Sequence, residues 1–489
     1  MTETLALALV LPLGGALLTV VLPGQAARLG LLAVALNTLN TALLTLGVWQ
    51  QGALHADFGG WGAPLGIGFV ADGLSTAMLA MTALVTLVIS INAADYFRDP
   101  ARARHFWPLW LLLLTSLNGL FLSADLFNLY VNLELLGLTA AALGALGGQR
   151  AALEANLRYL LVGLLGSMTY LLGVALVYSG FATLDFALLT ERLTAGLAEG
   201  QMPSPIAATA LGLMVLGLAL KAALFPLHFW LPPAHGSAPA PVSAALSALV
   251  VKAAFYLILR LWLLVFAPVT TQGAANLLGL LGAGAVLWGS WQALRAERLK
   301  LLAAYSTVAQ LGYLFVFFPI MQALPAGDAR DNLLVALALM AITHGFAKSG
   351  FFLAAGFMQK QAGHDRIADL GATMQRLPAT TLTLALAGMA LIGLPPSGNF
   401  TAKWLLLGGA FATGQWWWVL VLFAGTLLAV AYVFRLLTQA FGLEPTPRRF
   451  FTQAGAEVPA LLLAVMAVGV LGLTTAPLWR LLGVTGGAS

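Results

Sequence analysis

Four lysines, one glutamate and one histidine stand where an ionisable side chain needs a reason to be. Lys252 lies about 13 residues beyond Pro239 and 14 before Phe266, inside an otherwise apolar run. At 1.5 Å per residue that is roughly 20 Å along a helix axis, further than a lysine stem can carry its ammonium back to water. Lys348 is about 16 residues into a similar run, and His344 precedes it by four, on the same helical face. Lys221 and Lys403 each flank a proline-bearing interruption, and Glu134 is the one acid at comparable depth. A Lys at a helix centre costs about 2.5–3.5 kcal/mol on insertion scales, so four facing lipid would cost on the order of 10–14 kcal/mol. That matches the whole stability of an ordinary protein. Such groups must face a protein interior, a wet cavity or one another, and they mark ion or proton pathways.

The sign of the charges selects the cargo. Withdrawal from water disfavours the charged form of an amine, so a sequestered lysine can load and release a proton near neutral pH, where an exposed one stays charged. Sodium needs oxygen ligands, and lysine repels it. Histidine titrates near 6.5. The set Glu134, Lys221, Lys252, His344, Lys348 and Lys403 therefore reads as a proton relay, with His228 and His235 as secondary candidates. The competing reading, buried ion pairs that merely hold helices together, fails on count, because one carboxylate cannot neutralise four lysines. It stays open for Glu134–Lys221 taken alone.

The elements that must position these groups follow from composition. Of 489 residues 60% are hydrophobic and 8% charged, against roughly 45–50% and 25% in soluble domains. This excludes a soluble enzyme, a nucleic-acid binder and a disordered scaffold, and points to an all-α polytopic membrane protein. Apolar windows fall at about 5–22, 29–49, 71–92, 106–123, 125–147, 155–180, 205–227, 239–266, 274–294, 299–320, 332–358, 379–413, 416–442 and 457–484, fourteen spans in a single membrane domain, 1–489. Outer-membrane strands would be about ten residues long with alternating polarity. The start, Met1-Thr2-Glu3-Thr4, has no basic stretch before it turns apolar, so the first window is read as a retained span.

Basic residues cluster in alternate loops: Arg28; Arg98, Arg102 and Arg104; Arg150; Arg295, Arg298 and Lys300; Lys360, Arg366 and Arg376; Arg448 and Arg449. The other loops and the C-terminus hold Arg192, Arg330 and Arg480. The positive-inside rule then puts both termini on the outer side of an energy-transducing membrane, expected to be a bacterial inner membrane. Arg158, Arg260 and Arg435 lie within some seven residues of span ends and are read as snorkelling to the interface.

Two spans are broken. The seventh reads Leu220-Lys221-Ala222-Ala223-Leu224-Phe225-Pro226, and the twelfth Gly393-Leu394-Pro395-Pro396-Ser397-Gly398-Asn399-Phe400-Thr401-Ala402-Lys403. Proline interrupts the helical ladder, and irregular backbone at membrane depth is tolerated only where it is buried in protein or lines a cavity. The breaks are five spans apart, an odd number, so corresponding halves enter from opposite sides. That predicts two inverted five-helix repeats, spans 4–8 (106–266) and 9–13 (274–442), with the working site at the breaks. There is no cysteine, hence no thiolate-held cluster, and no flavin or nucleotide fingerprint. Neither cofactor nor metal is expected. Gly279–Gly284 lies in a span and is read as helix packing.

These residues resemble the antiporter-like subunits shared by Mrp-type cation/proton antiporters, respiratory complex I and membrane-bound hydrogenases. The resemblance rests on Leu220–Val242 (LKAALFPLHFWLPPAHGSAPAPV), Leu299–Gly312 (LKLLAAYSTVAQLG), Thr343–Gly350 (THGFAKSG) and Gly393–Lys403 (GLPPSGNFTAK). It implies that Glu134 and Lys221 form the family's helix 5–helix 7 pair, that Lys252 is the central lysine of helix 8, and that His344 and Lys348 are the polar pair of helix 11. Lys403 then ends broken helix 12, where lysine is shared with the D-type subunit of Mrp antiporters. Three departures are Pro233 in place of an acid, Arg298 in place of an acid, and Asn399 inside the usual serine–glycine–aromatic order.

The resemblance implies a proton-translocating subunit of an Mrp-type Na+/proton or K+/proton antiporter, not an enzyme by itself. The alternative is a proton-pumping subunit of a complex I-like quinone oxidoreductase or hydrogenase. A stand-alone anion transporter using the broken-helix lysines is a third reading. Short loops leave no room for an energy source, so other membrane subunits, protons and the bilayer are the expected partners, and nucleic acid is not.

Overall fold

The computed structural model describes residues 2–198, 204–371, 376–440 and 455–483; Arg448 and Arg449 lie outside them. The chain runs α1 (Thr2–Val21), α2 (Ala26–Gln51), β1 (Leu54–Phe58), β2 (Ile67–Ala71), α3 (Gly73–Tyr96), α4 (Pro100–Leu122), α5 (Leu126–Ala145), α6 (Arg150–Phe181) and α7 (Phe186–Ala198). Then follow α8 (Pro205–Lys221), α9 (Leu231–Ser237), α10 (Ala240–Val265), α11 (Gln272–Arg295), α12 (Leu299–Ala323) and α13 (Asp328–Ala362). The last are α14 (Pro378–Ile392), α15 (Gly398–Ala412), α16 (Trp417–Ala440), α17 (Val458–Leu473) and α18 (Ala476–Leu481).

Among the described residues, eleven helices are long and apolar enough to cross a membrane, and α8, α14 and α17 are shorter apolar helices. Every expected window coincides with a helix or with a pair of half-helices. The seventh is α8 and α9 around the Phe225–Pro226 turn, and the twelfth is α14 and α15 around Pro395–Pro396. Two elements have no counterpart in the hydropathy pattern: the antiparallel hairpin pairing Leu54 with Ala71 through Phe58 with Ile67, and the short helix α7.

Burial sorts the helices. In α10, α12 and α13 the apolar window is 89%, 89% and 94% buried, whereas in α1, α6 and α16 it is 33%. A helix apolar on all sides belongs in the interior of a bundle, so the three helices that carry Lys252, Lys348 and His344 or bridge between them are the innermost. Glycine lets α11 approach α12 closely. A Cβ on Gly282 of α11 would meet the Gly312 carbonyl of α12 at 2.6 Å, and this is the packing role expected of Gly279–Gly284. Buried amides pin the outer helices to the rest: Asn118 donates to the Ala8 carbonyl at 2.7 Å and to Asn37 at 2.9 Å.

Candidate functional site

Lys252 and Lys348 are fully buried. Helix α10 contains a π turn at Leu246–Val250, and the Lys252 ammonium donates to the Ser247 carbonyl of that turn at 2.7 Å. The Ser247 hydroxyl lies 2.7 Å from the Thr307 hydroxyl on α12, which in turn donates to the Ala303 carbonyl at 2.9 Å. That carbonyl also accepts from the Lys348 ammonium at 2.7 Å, and Lys348 donates to Ser306 as well. The two amines are thus joined across three helices by polar groups at hydrogen-bonding distance. π turns recur at functional sites because they free backbone groups from the regular ladder.

His344 is buried between its neighbours with both ring nitrogens unpartnered, and it interacts electrostatically with both Lys252 and Lys348. A neutral imidazole offers one donor and one acceptor, so this ring has unused capacity on each side. His235, on α9, feels Lys348, Lys252 and Lys300 together. His228 is buried but stacks on Phe225 at 5.5 Å, and among the described residues no hydrogen bond connects it to the lysines.

The second break explains Lys403. Helix α14 ends at Gly393, whose φ of +85° is the left-handed conformation glycine tolerates. Three carbonyls near that end each receive a side-chain donor: Ala390 from Asn399 at 2.8 Å, Leu391 from Gln310 at 2.8 Å, and Ile392 from Lys403 at 2.9 Å. Lys403 also donates to Thr426 at 3.1 Å and sits 4.3 Å from the ring centre of Tyr313. Around it, among the described residues, Asn399 Oδ1 and the Thr343 hydroxyl are buried without partners. The Tyr432 hydroxyl lies against both Gln310 and Ser306, so polar groups continue from the Lys348 partner toward Lys403.

Glu134 and Lys221 face one another at 3.7 Å, with Lys221 also donating to the Leu133 carbonyl at 3.4 Å. Gly137 and Gly163 flank the pair. Trp230 closes the break behind it, donating to the Leu220 carbonyl at 2.9 Å and stacking on Tyr159 at 4.6 Å. Among the described residues no hydrogen bond links this pair to Lys252. The pair is local and stands apart from the Lys252 and Lys348 contacts.

Two expectations need correction. Arg260 does not snorkel; Arg158 is exposed, as expected, and Arg435 is half-buried. Arg260 is buried and forked onto Asp72, with Nη2 2.6 Å from Oδ1 and Nη1 on Oδ2. Arg435 donates to the Leu294 and Ala296 carbonyls at the end of α11. Lys300, counted among the loop cations, lies in the first turn of α12, buried, donating to the Ala238 carbonyl. Arg298, the residue in place of an acid, pairs with Asp365 at 2.9 Å. Sequence reasoning also misses Ser247, Ser306, Thr307, Gln310 and Tyr313. The one signal for them is polar residues at helical spacing in Ser306-Thr307-Val308-Ala309-Gln310-Leu311-Gly312-Tyr313.

A bundle with two interrupted spans and buried amines between them is an ion-translocating class of membrane protein. Over residues 123–429 the chain matches the family described as NADH:quinone oxidoreductase/Mrp antiporter, TM. It is 36% identical over 434 residues to NADH-quinone oxidoreductase subunit N of Desulforudis audaxviator, covering 85% of this chain and 83% of that one. It is 28% identical over 443 residues to the D-type subunit of the Na(+)/H(+) antiporter of Alkalihalophilus pseudofirmus, covering 89% and 86%. Its fold matches a chain of the membrane-bound sulfane sulfur reductase, an archaeal respiratory membrane complex, with a TM-score of 0.89 at 27% identity over 99% of this chain and 97% of that one. The chain belongs to this family of antiporter-like subunits and is an integral, multi-pass membrane protein.

Proposed function

We propose that the chain translocates protons as one subunit of a multisubunit Mrp-type cation/proton antiporter in a bacterial energy-transducing membrane, with both termini outside. The observation that carries the reading is that Ser247, Thr307 and Ala303 hold Lys252 and Lys348 on one set of polar contacts beside His344. A proton from the cytoplasmic side loads Lys252. His344, with both nitrogens unused, takes it up on one side and gives it from the other, which passes it to Lys348. The polar groups at Ser306, Tyr432 and Gln310 lead it on to Lys403 and outward. Residues 106–266 and 274–442 act as the two inverted halves, each contributing a break.

Glu134 holds Lys221 charged while the two are paired. When the pair opens, Lys221 is free to give up its charge, which drives the next transfer on the axis. Lysine at position 403 supports the Mrp assignment through its likeness to the D-type Mrp subunit. The exchanged Na+ or K+ is assigned to the assembly.

The test is proton flux in vesicles of a Lys252→Ala variant assembled with its partners; unchanged flux overturns the reading. A second reading, a proton-pumping subunit of a redox complex, is favoured by the 36% identity to a quinone oxidoreductase subunit. Co-purification separates the two. Iron–sulfur and flavin subunits support the second reading, and membrane subunits alone support the first.

A further inference from the structure

Lys252, Tyr256 and Arg260 are spaced by four and share one face of α10. The stripe leads from the central lysine toward the surface at Asp72, whose side chain is 29% exposed beside a cavity of about 170 Å³ lined by Asp72, Arg260 and apolar residues. By distance it is a direct way out for a proton on Lys252, about 12 Å along the axis from Lys252 to Arg260 at 1.5 Å per residue. The geometry points to Arg260 as a fixed-charge plug that closes this route, so that a proton leaving Lys252 goes sideways to Lys348. The inference deepens the function proposed above and rests on it.

Hydrogen-bond capacity separates the two directions. Along the stripe the polar atoms are committed. Arg260 Nε donates to the Tyr256 hydroxyl at 2.7 Å, both terminal nitrogens go to Asp72, and the Tyr256 hydroxyl donates to the Phe121 carbonyl at 2.9 Å. Asp72 Oδ1 also accepts from the Ser75 amide at 2.9 Å. Toward Lys348 the reverse holds: among the described residues both His344 nitrogens are buried without a hydrogen-bond partner. A guanidinium keeps its charge at any ordinary pH, so Arg260 can neither accept a proton nor pass one. Asp72 offsets most of its field beyond the pair, so the block is the lack of an exchangeable proton site and not repulsion.

The experiment measures passive proton conductance of vesicles holding the assembled complex, with no driving reaction. Arg260→Gln is expected to raise the leak several-fold, and the double variant Lys252→Ala/Arg260→Gln to abolish the increase, because the shortcut starts at Lys252. Asp72→Asn, which keeps the guanidinium, is expected to stay tight. An ion pair that only braces α3 against α10 predicts instead that Asp72→Asn leaks as Arg260→Gln does. That result, a tight Arg260→Gln complex, or a leak that survives removal of Lys252 would each overturn the plug. If Arg260→Gln does not assemble, Asp72→Asn/Arg260→Gln replaces the ion pair with a neutral amide pair and carries the same expectation. Loss of assembly in both variants identifies a brace and also overturns it. Driven flux retained in Lys252→Ala alone would defeat the relay itself, a separate outcome from any of these.

Discussion

Lys252 and Lys348 hang from opposite ends of one polar thread, and among the described residues Thr307 is the side chain of α12 that bridges them. Its hydroxyl meets Ser247 at 2.7 Å on the Lys252 side and the Ala303 carbonyl at 2.9 Å on the Lys348 side. The contacts fix the two amines relative to one another, which any transfer between them through His344 requires.

Replacing Thr307 with valine keeps the shape and removes the bridge. One net buried hydrogen bond is worth about 1 kcal/mol, so proton flux should fall roughly fivefold. Thr307→Ser should restore it. Flux measured in vesicles of the assembled complex checks this, and equal rates for the Val and Ser variants would show that Thr307 does not position the two lysines.

Lys403 separates charge from chemistry. A Lys403→Arg variant would keep the cation and the contact with the Tyr313 ring, but a guanidinium does not deprotonate. Flux should therefore drop on the order of 10²-fold, as far as in Lys403→Ala, while the thermal stability of the complex stays near that of the parent. Normal flux in Lys403→Arg would mean that the position supplies a static charge.

The second break depends on its caps. Asn399→Leu leaves the Ala390 carbonyl without a donor inside the bundle, and an orphaned buried group costs about 1–3 kcal/mol. Gln310→Leu does the same to Leu391. Both variants should unfold at lower temperature in detergent than the parent, although neither alters a charge. Unchanged unfolding would show that the break is held by packing alone.

How much of this is legible in the sequence depends on where each partner lies. The broken spans and their lysines are visible because proline, glycine and charge stand together within a dozen residues. Arg260 reads wrongly as an interfacial cation because its distance from a span end is local information, while Asp72, its partner, is 188 residues away. Lys300 falls in a loop because hydropathy windows blur at their edges, and the Ala238 carbonyl it meets is likewise distant in the chain. The Lys252–Lys348 thread is invisible for another reason. It runs through two backbone carbonyls and ordinary serine and threonine hydroxyls, groups present in most membrane helices and informative only once a π turn brings them into line.

The Glu134–Lys221 pair rests on a helix contact that glycine alone permits. A Cβ on Gly217 of α8 would lie 2.3 Å from the Gly166 carbonyl of α6, and one on Gly166 would lie 2.7 Å from the Gly217 carbonyl and 3.3 Å from Lys221 Cγ. Backbone cannot yield there as the tip of a side chain could, so Gly217→Ala must push α8 from α6 and carry Lys221 with it. The overpacking should cost about 1–3 kcal/mol, seen as a lower unfolding temperature together with impaired proton flux. Gly212 is the matched control: it lies on the same helix with nothing within 4 Å of its added Cβ. There alanine gains up to about 1 kcal/mol of helix propensity, so Gly212→Ala should unfold no earlier than the parent and transport normally. If the two variants behaved alike, the close approach of α6 and α8 would not be what holds Lys221 opposite Glu134.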